Sequence, residues 1–410
     1  MSSLTGTTGT TGTTGTTGTT GTTGTTGTTG TTGTTVAALG TRPTAGSYDG
    51  TSATGLLFAR DGIVGVWKGG NRTPQDRSVN DPGNLAHWSQ TIRMHVLLTD
   101  VVTRLAVVSS ENGPDASVLI RDKPPMGDAN AMAVTYHTIA GFHRPNDEFF
   151  QRQLEQVHEY ADLRADRMAE VLSQVGYPTA YMSSVAGLSP SIARFTHELL
   201  DLALGVASHV VLSVKHILAC PRPDAFSPQI QPVIPTPGHS ALPSGHATEA
   251  FTAAVVLASV MNHDSDLTKM LMRQAARIAV NRTVAGVHYP VDSIAGAMLG
   301  LNLGQMIVAL AGQEHSIQPA TFQIDEAIQR NATAIVNDDG TQTAETHISF
   351  NPASYDVVDG ANVPPDEKFN PLKQNKAVEG AVQLADKALT DLETSDSLAW
   401  LWTRARAEVG

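Results

Sequence analysis

From residue 85 onward, apolar residues recur at three- and four-residue spacing, the period of helices that bury one face. The pattern runs through residues 85–107, 126–142, 147–175, 192–218, 246–261, 267–285 and 291–311. Strand-like alternation is scarce before residue 340. These segments predict an all-α fold, a helical bundle of two packed four-helix-bundle-like halves built from roughly seven to ten helices. The uncharged stretch 293–312 is long enough to span a bilayer, but it holds Asn302, Gln305 and many Gly and Ala positions. It reads as a buried helix. A last amphipathic helix is expected over 377–406, with Val382, Leu384, Ala385, Leu389, Leu392, Leu398 and Leu401 as its docking face. Trp400 and Trp402 are expected to pack back on the bundle.

The flanks follow other rules. Glycine stands at every third position from Gly6 to Gly33 with threonine between, so residues 1–35 cannot bury a core and read as a tether. A three-chain bundle with glycine at its axis is the alternative reading of that period. Removing residues 1–35 is expected to leave activity and melting temperature unchanged. Residues 36–84, rich in Gly, Pro, Asp and Asn, read as an irregular leading segment. The helical region follows over 85–315. Residues 316–410 combine loop chemistry, including the Asn337-Asp338-Asp339-Gly340 turn, with the last helix.

Composition narrows the partners. Of 410 residues, 41% are hydrophobic, enough for a sizeable core, and the net charge is −12. An acidic chain is a poor ligand for nucleic acid or an anionic membrane surface, so neither is expected as a partner, nor is membrane insertion. The sole cysteine, Cys220, excludes an intramolecular disulfide and reads as a small buried hydrophobe. Met1 to Leu4 and the Thr/Gly run that follows show no basic or apolar leader, so no secretory signal peptide is expected and a soluble protein is. The compartment stays open. A homo-oligomer is expected.

Against this acidic background, three motifs concentrate cations. In Lys215-His-Ile-Leu-Ala-Cys-Pro221-Arg222-Pro223 a helix carrying Lys215 is stopped by two prolines, which hold Arg222 in a rigid turn. Arg grips an anion by its fork and Lys acts as a point charge. In Pro243-Ser244-Gly245-His246, Ser244 suits an N-cap and Gly245 admits a ligand close to the helix N-terminus, a ready anion site. His246 in the first turn is placed to exchange protons there. The third motif runs from Asn281-Arg282 through His288 to Asp292, with Pro290 at a helix start. Asp292, four residues on, is placed to accept the Nδ1 proton of His288 and leave Nε2 free as nucleophile or ligand. Each motif alone is also what an ordinary capped or charged helix end looks like. Together they predict a pocket for a tetrahedral oxyanion, vanadate or phosphate.

The order and spacing of Lys215, Arg222, Pro223, Pro243 to His246, Arg282, His288 and Asp292 resemble the three-part signature of the type 2 phosphatidic acid phosphatase superfamily. That superfamily includes soluble bacterial acid phosphatases and vanadium-dependent haloperoxidases. The sequence departs from it at Asn281, where the family usually has serine. The resemblance implies that Lys215, Arg222 and Arg282 neutralise the oxyanion, with the Ser244 hydroxyl and Gly245 N–H adding hydrogen bonds. In a phosphatase, His288 would attack phosphorus and His246 would protonate the leaving group. In a haloperoxidase, vanadate would be the cofactor with His288 bound to the metal. His246 would shuttle protons and Lys215 would polarise bound peroxide, so that hydrogen peroxide oxidises halide and a small organic substrate is halogenated. His239, five residues before Ser244, resembles a second histidine of vanadium bromoperoxidases. Leu212 stands where several haloperoxidases place tryptophan. The reading taken from the sequence is a vanadium-dependent haloperoxidase of bromide or iodide type. The alternatives are a soluble acid phosphatase acting through a phosphohistidine at His288, and a structural or assembly protein with a dormant site.

Overall fold

The computed structural model describes residues 50–70, 72, 78–122, 134–262, 265–313, 316–324, 348–355 and 381–410. The Thr/Gly repeat and the Asn337–Gly340 turn lie outside them. In chain order the elements are α1 (Gly50–Ile63), α2 (Gln90–Val102), β1 (Leu105–Val108), β2 (Ala116–Arg121) and β3 (Tyr136–Phe142). Then come α3 (Asp147–Glu159), α4 (Arg164–Ser173), α5 (Thr179–Ala186), α6 (Arg194–Leu218) and the single turn α7 (Pro223–Phe226). The chain ends with α8 (Gly245–Val260), α9 (Ser265–Val284), α10 (Pro290–Leu310), β4 (Ala320–Phe322), β5 (Val382–Leu384) and α11 (Asp396–Val409).

The protein is mostly helical, as the periodicity predicts, and its core is organised about α8. That helix is mostly apolar and is buried along almost its whole length, with α6, α9 and α10 packed against it. Three glycines of α10, spaced four apart, face α8. A side chain at Gly296 would begin 2.6 Å from the Ser244 carbonyl oxygen, one at Gly300 2.5 Å from the Thr248 carbonyl oxygen, and one at Gly304 2.6 Å from Val255 Cβ. Only hydrogen at these positions lets the two backbones come so close. On the outer side α11 packs along α6. Arg93 of α2 there grips Glu198 by two bonds of 2.6 and 2.7 Å, and its Nη1 donates to the Leu85 and Trp88 carbonyls. Trp402 is buried and Trp400 meets Phe195 edge-on, so both tryptophans do pack back on the bundle.

The structure corrects the expected elements in three places. A five-stranded sheet in the order β1-β2-β3-β4-β5 flanks the bundle, antiparallel except where β3 runs parallel to β4. The predicted helix over 85–107 stops at Val102 and continues as β1. That over 126–142 ends in β3, where Ile139, Ala140, Gly141 and Phe142 are buried on four successive positions. Such short apolar runs fit either period, and the sheet partner decides between them. The last helix begins only at Asp396, capped by Ser395, which accepts from the Leu398 N–H at 3.0 Å. Val382 and Leu384 instead pair with β4, and Leu389 bridges to Ile317. Finally, the leading segment is not wholly irregular, because α1 lies within it.

Both Arg194–Phe226 and Pro290–Leu310 are long and apolar enough to cross a membrane, where the sequence singled out only the second. Within this fold the second is the core helix α10, 94% buried over its most apolar stretch. This is the buried helix expected over 293–312.

Candidate active site

Helix α6 ends one turn after Lys215 because Ala219 turns left-handed, with φ of 49°, and donates its N–H back to the Lys215 carbonyl. Pro221 and Pro223 then carry the chain outward, and Arg222 folds back into the protein between them. The loop before α8 is stitched to this corner. Ala241 N–H donates to the Cys220 carbonyl at 3.0 Å, and the Lys215 ammonium donates to the Ser240 and Ala241 carbonyls at 2.8 and 2.6 Å. Ser244 caps α8 by accepting from Ala247 N–H, while its own N–H donates to the Asp292 carbonyl at 2.9 Å. That bond ties the start of α8 to the start of α10.

At the start of α10, Pro290 occupies the first turn, where a missing N–H costs nothing. Asp292 accepts from His288 Nδ1 at 2.8 Å and from the Tyr289 N–H at 3.0 Å. A carboxylate can only accept, so His288 carries its proton on Nδ1 and presents the Nε2 lone pair. Arg222 covers that lone pair: its Nη1 donates to His288 Nε2 at 3.0 Å and to the Val287 carbonyl at 2.6 Å. The rest of the guanidinium holds His239, with Nε on its carbonyl at 3.0 Å and Nη2 on its ring Nδ1 at 3.1 Å.

Arg282 comes from the end of α9 and is fully buried. Its Nη2 donates to the Val171 carbonyl at 3.1 Å and to Gln174 Oε1 at 3.4 Å. Its Nε and Nη1 meet no acceptor among the described residues. Two N–H donors of a cation are not left bare in a core without cause, and an oxyanion is the partner that suits them. Beside it the first turn of α8 is open: nothing lies within 4 Å of where a Gly245 side chain would start. Lys215, Arg222, Ser244, Gly245, Arg282, His288 and Asp292 are all buried at this corner, with His239 and His246 part-buried at its edge.

Electrostatics keep the histidines neutral. Burial, then Arg222, Lys215 and the other two histidines, hold His288 well below the usual imidazole range. Burial and then Arg282 do the same to His246, and burial with Lys215 and Arg222 brings His239 down to about 3. Burial also lowers Lys215, abetted by Arg222 and opposed by Asp292, and brings Arg222 and Arg282 to about 10. Burial raises Asp292 against the pull of Lys215. Cys220, buried and pushed up to about 12, is no nucleophile here.

These shifts predict acid sensitivity. In the unfolded chain each histidine titrates at about 6.5. Below that pH the unfolded state binds protons that the three folded imidazoles refuse, so stability falls from about pH 6.5 downward and is held above it. Asp292 acts in the opposite sense, one group against three. The melting temperature of phosphate-free protein should drop steadily over this range. Added phosphate, whose charge favours the imidazolium form, should blunt the drop.

Three contributors were not legible as site residues. Gln174, at the end of α4, accepts from both Arg282 and Asn281. The Val175 carbonyl lies 3.3 Å from His246 Nε2. Glu249, one turn into α8, accepts from Ser208 at 2.8 Å and favours the charged form of Lys215. None belongs to the three motifs, and only the packing of α4 and α6 brings them in. Asn281, peripheral by its place in the motif, is fully buried and bonded to α4 through Glu170, Gln174 and Arg167.

Comparison with known proteins finds similarity over the part of the chain that builds this corner. Residues 198–315, which carry all three motifs, match the PAP2 superfamily. Among curated proteins, a Decaprenylphosphoryl-5-phosphoribose phosphatase of Mycobacterium tuberculosis is 30% identical over 107 residues. The match spans 26% of this chain and 56% of that relative, so the chain covers about half the relative's length. Among solved structures, a transmembrane PAP2 type phosphatidylglycerolphosphate phosphatase from Bacillus subtilis is 22% identical over 39% of this chain and 90% of that one. Its TM-score of 0.25 is too low to carry weight. Both of these relatives are phosphatases by name; neither is a haloperoxidase.

Proposed function

We propose that this protein hydrolyses phosphate monoesters through a phosphohistidine on His288. The observation that carries the reading is the pairing of a neutral His288, oriented by Asp292, with the two unpartnered donors of buried Arg282. The ester's phosphoryl oxygens would take Arg282 Nε and Nη1, the Gly245 N–H and Ser244 hydroxyl, and the field of Lys215 and Arg222. Arg222 turns from Nε2 to the incoming oxygens, and the freed lone pair attacks phosphorus as the P–O ester bond breaks. Charge arriving with the substrate raises His246, whose imidazolium gives the leaving alkoxide its proton. Water then attacks the phosphohistidine and yields a proton to His246. The P–N bond breaks, and phosphate and neutral His288 are restored. The match to the PAP2 superfamily and the phosphatase named among the curated relatives support hydrolysis above the halide oxidation that the sequence ranked first.

A second reading rests on His239, held by two bonds from Arg222 at the edge of the pocket. Vanadate has the geometry of phosphate, and the same donors fit it, with His288 as its one protein ligand. When bound, it would supply the oxidation of halide by hydrogen peroxide, with His239 beside the site. An assay of p-nitrophenyl phosphate hydrolysis, run beside bromination of a phenol dye with and without orthovanadate, decides. Hydrolysis that vanadate inhibits, without bromination, is the expected result. Vanadate-dependent bromination without hydrolysis replaces it with the second reading. A protein that binds neither anion would be the structural one.

A further inference from the structure

Two consecutive residues of α9 point their polar ends at one atom of α4. Asn281 Nδ2 donates to Gln174 Oε1 at 2.8 Å, and Arg282 Nη2 approaches the same oxygen at 3.4 Å. The polarity of this junction is fixed by its outer members. Arg167 has only donors and uses Nη1 on Asn281 Oδ1 at 3.1 Å. Asn281 must therefore turn Nδ2 inward, where it also reaches Glu170 Oε2 at 3.1 Å. Glu170 is held in turn by a fork from Arg277 at 2.5 and 2.7 Å. Gln174 then faces two donors and has to show them its oxygen, so its amide cannot flip. Gln174 is 1% exposed and Asn281 is 0% exposed, which keeps water from substituting for either.

This junction bears on the oxyanion site because of what it does to the guanidinium. With Nη2 anchored on Gln174 and on the Val171 carbonyl, the plane of Arg282 is fixed, and the donors left over are Nε and Nη1. The same turn of α4 offers the Val175 carbonyl to His246. Simple helix packing explains a buried polar network between α4 and α9. It does not explain why the network ends on a buried arginine that, among the described residues, keeps two donors unpartnered.

We propose that Gln174 is a positioning residue for anion binding: it aims Arg282 into the pocket, and Asn281 holds it there. This rests on the oxyanion reading of the site. The test compares Gln174→Met, which keeps the volume and removes the acceptor, with Gln174→Glu, which keeps an acceptor. Inorganic phosphate and orthovanadate are titrated calorimetrically into each, beside the parent. Loss of one charge-assisted bond should raise both dissociation constants about tenfold in Gln174→Met, and Gln174→Glu should return them to within about threefold of the parent. KM for the ester should rise with them while kcat changes less. A purely structural role would lower the melting temperature of both variants and leave the affinity of folded protein untouched. Gln174→Met binding either anion as tightly as the parent overturns the proposal. Should Gln174→Met not fold, Gln174→Asn, which withdraws the oxygen by one methylene, carries the same tenfold expectation. A parent that binds neither anion removes the oxyanion reading together with this role, so the two failures are told apart.

Discussion

His288→Ala is expected to abolish the proposed ester hydrolysis, by about 10⁴-fold or more in kcat, because it removes the nucleophile proposed to attack phosphorus. The expected contrast is with binding. Lys215, Arg222, Arg282 and the start of α8 remain, so phosphate still binds, and calorimetry on the variant should show it. Asp292→Asn tests the same chemistry from behind. An amide in place of the carboxylate can present a donor to Nδ1 and turn the imidazole to the wrong tautomer, with a loss of roughly 10²- to 10⁴-fold. His288→Ala with more than a hundredth of the parent's activity would remove the phosphohistidine from the reaction. Loss of phosphate binding along with activity would mean that the imidazole holds the anion as well as attacking it.

The largest effect on stability is expected away from the pocket, at Gly300. A valine there must place its Cβ 2.5 Å from the Thr248 carbonyl oxygen and 2.9 Å from Phe251 Cβ, both on the central helix α8. Neither neighbour is the free end of a flexible side chain, so α8 and α10 must separate. Gly300→Val is expected to cost ~3 kcal/mol or more, read as a lower midpoint of urea unfolding. A variant as stable as the parent would show that the two helices are not held at this distance by their glycines. Gly245→Ala is the control, since a methyl there enters open space.

The helices that hold the site were legible because they are long. Over the 25 residues of α6 the apolar positions follow the helical period, and the 21 residues of α10 form an apolar run too long for a strand. The motifs were legible too, since Pro221, Pro223, Ser244 and Pro290 mark helix ends by local chemistry alone. The His288–Asp292 bond follows from four-residue spacing across the start of a helix. What escaped was set by distant partners. β3 is a strand because β2 and β4 lie beside it, and Thr321 of β4, which pairs with Gly141, stands 180 residues further along the chain. Gln174 and Glu249 are ordinary helix residues until α4 and α6 bring the pocket to them. Choice of chemistry was beyond the motifs altogether, because phosphate and vanadate ask for the same donors.

In the proposed hydrolysis, the bond from Arg222 to His288 Nε2 makes His288 a masked nucleophile. Its lone pair is spent on a neighbour until something offers that neighbour a better acceptor. Under that reading an incoming dianion does so and is also the group to be attacked, so recognition and arming would be a single event. Neutral electrophiles cannot draw Arg222 away, and they meet an imidazole whose reactive nitrogen is already engaged. Selectivity for charged esters would then reside in the Arg222–His288 bond as much as in the contacts made to the anion.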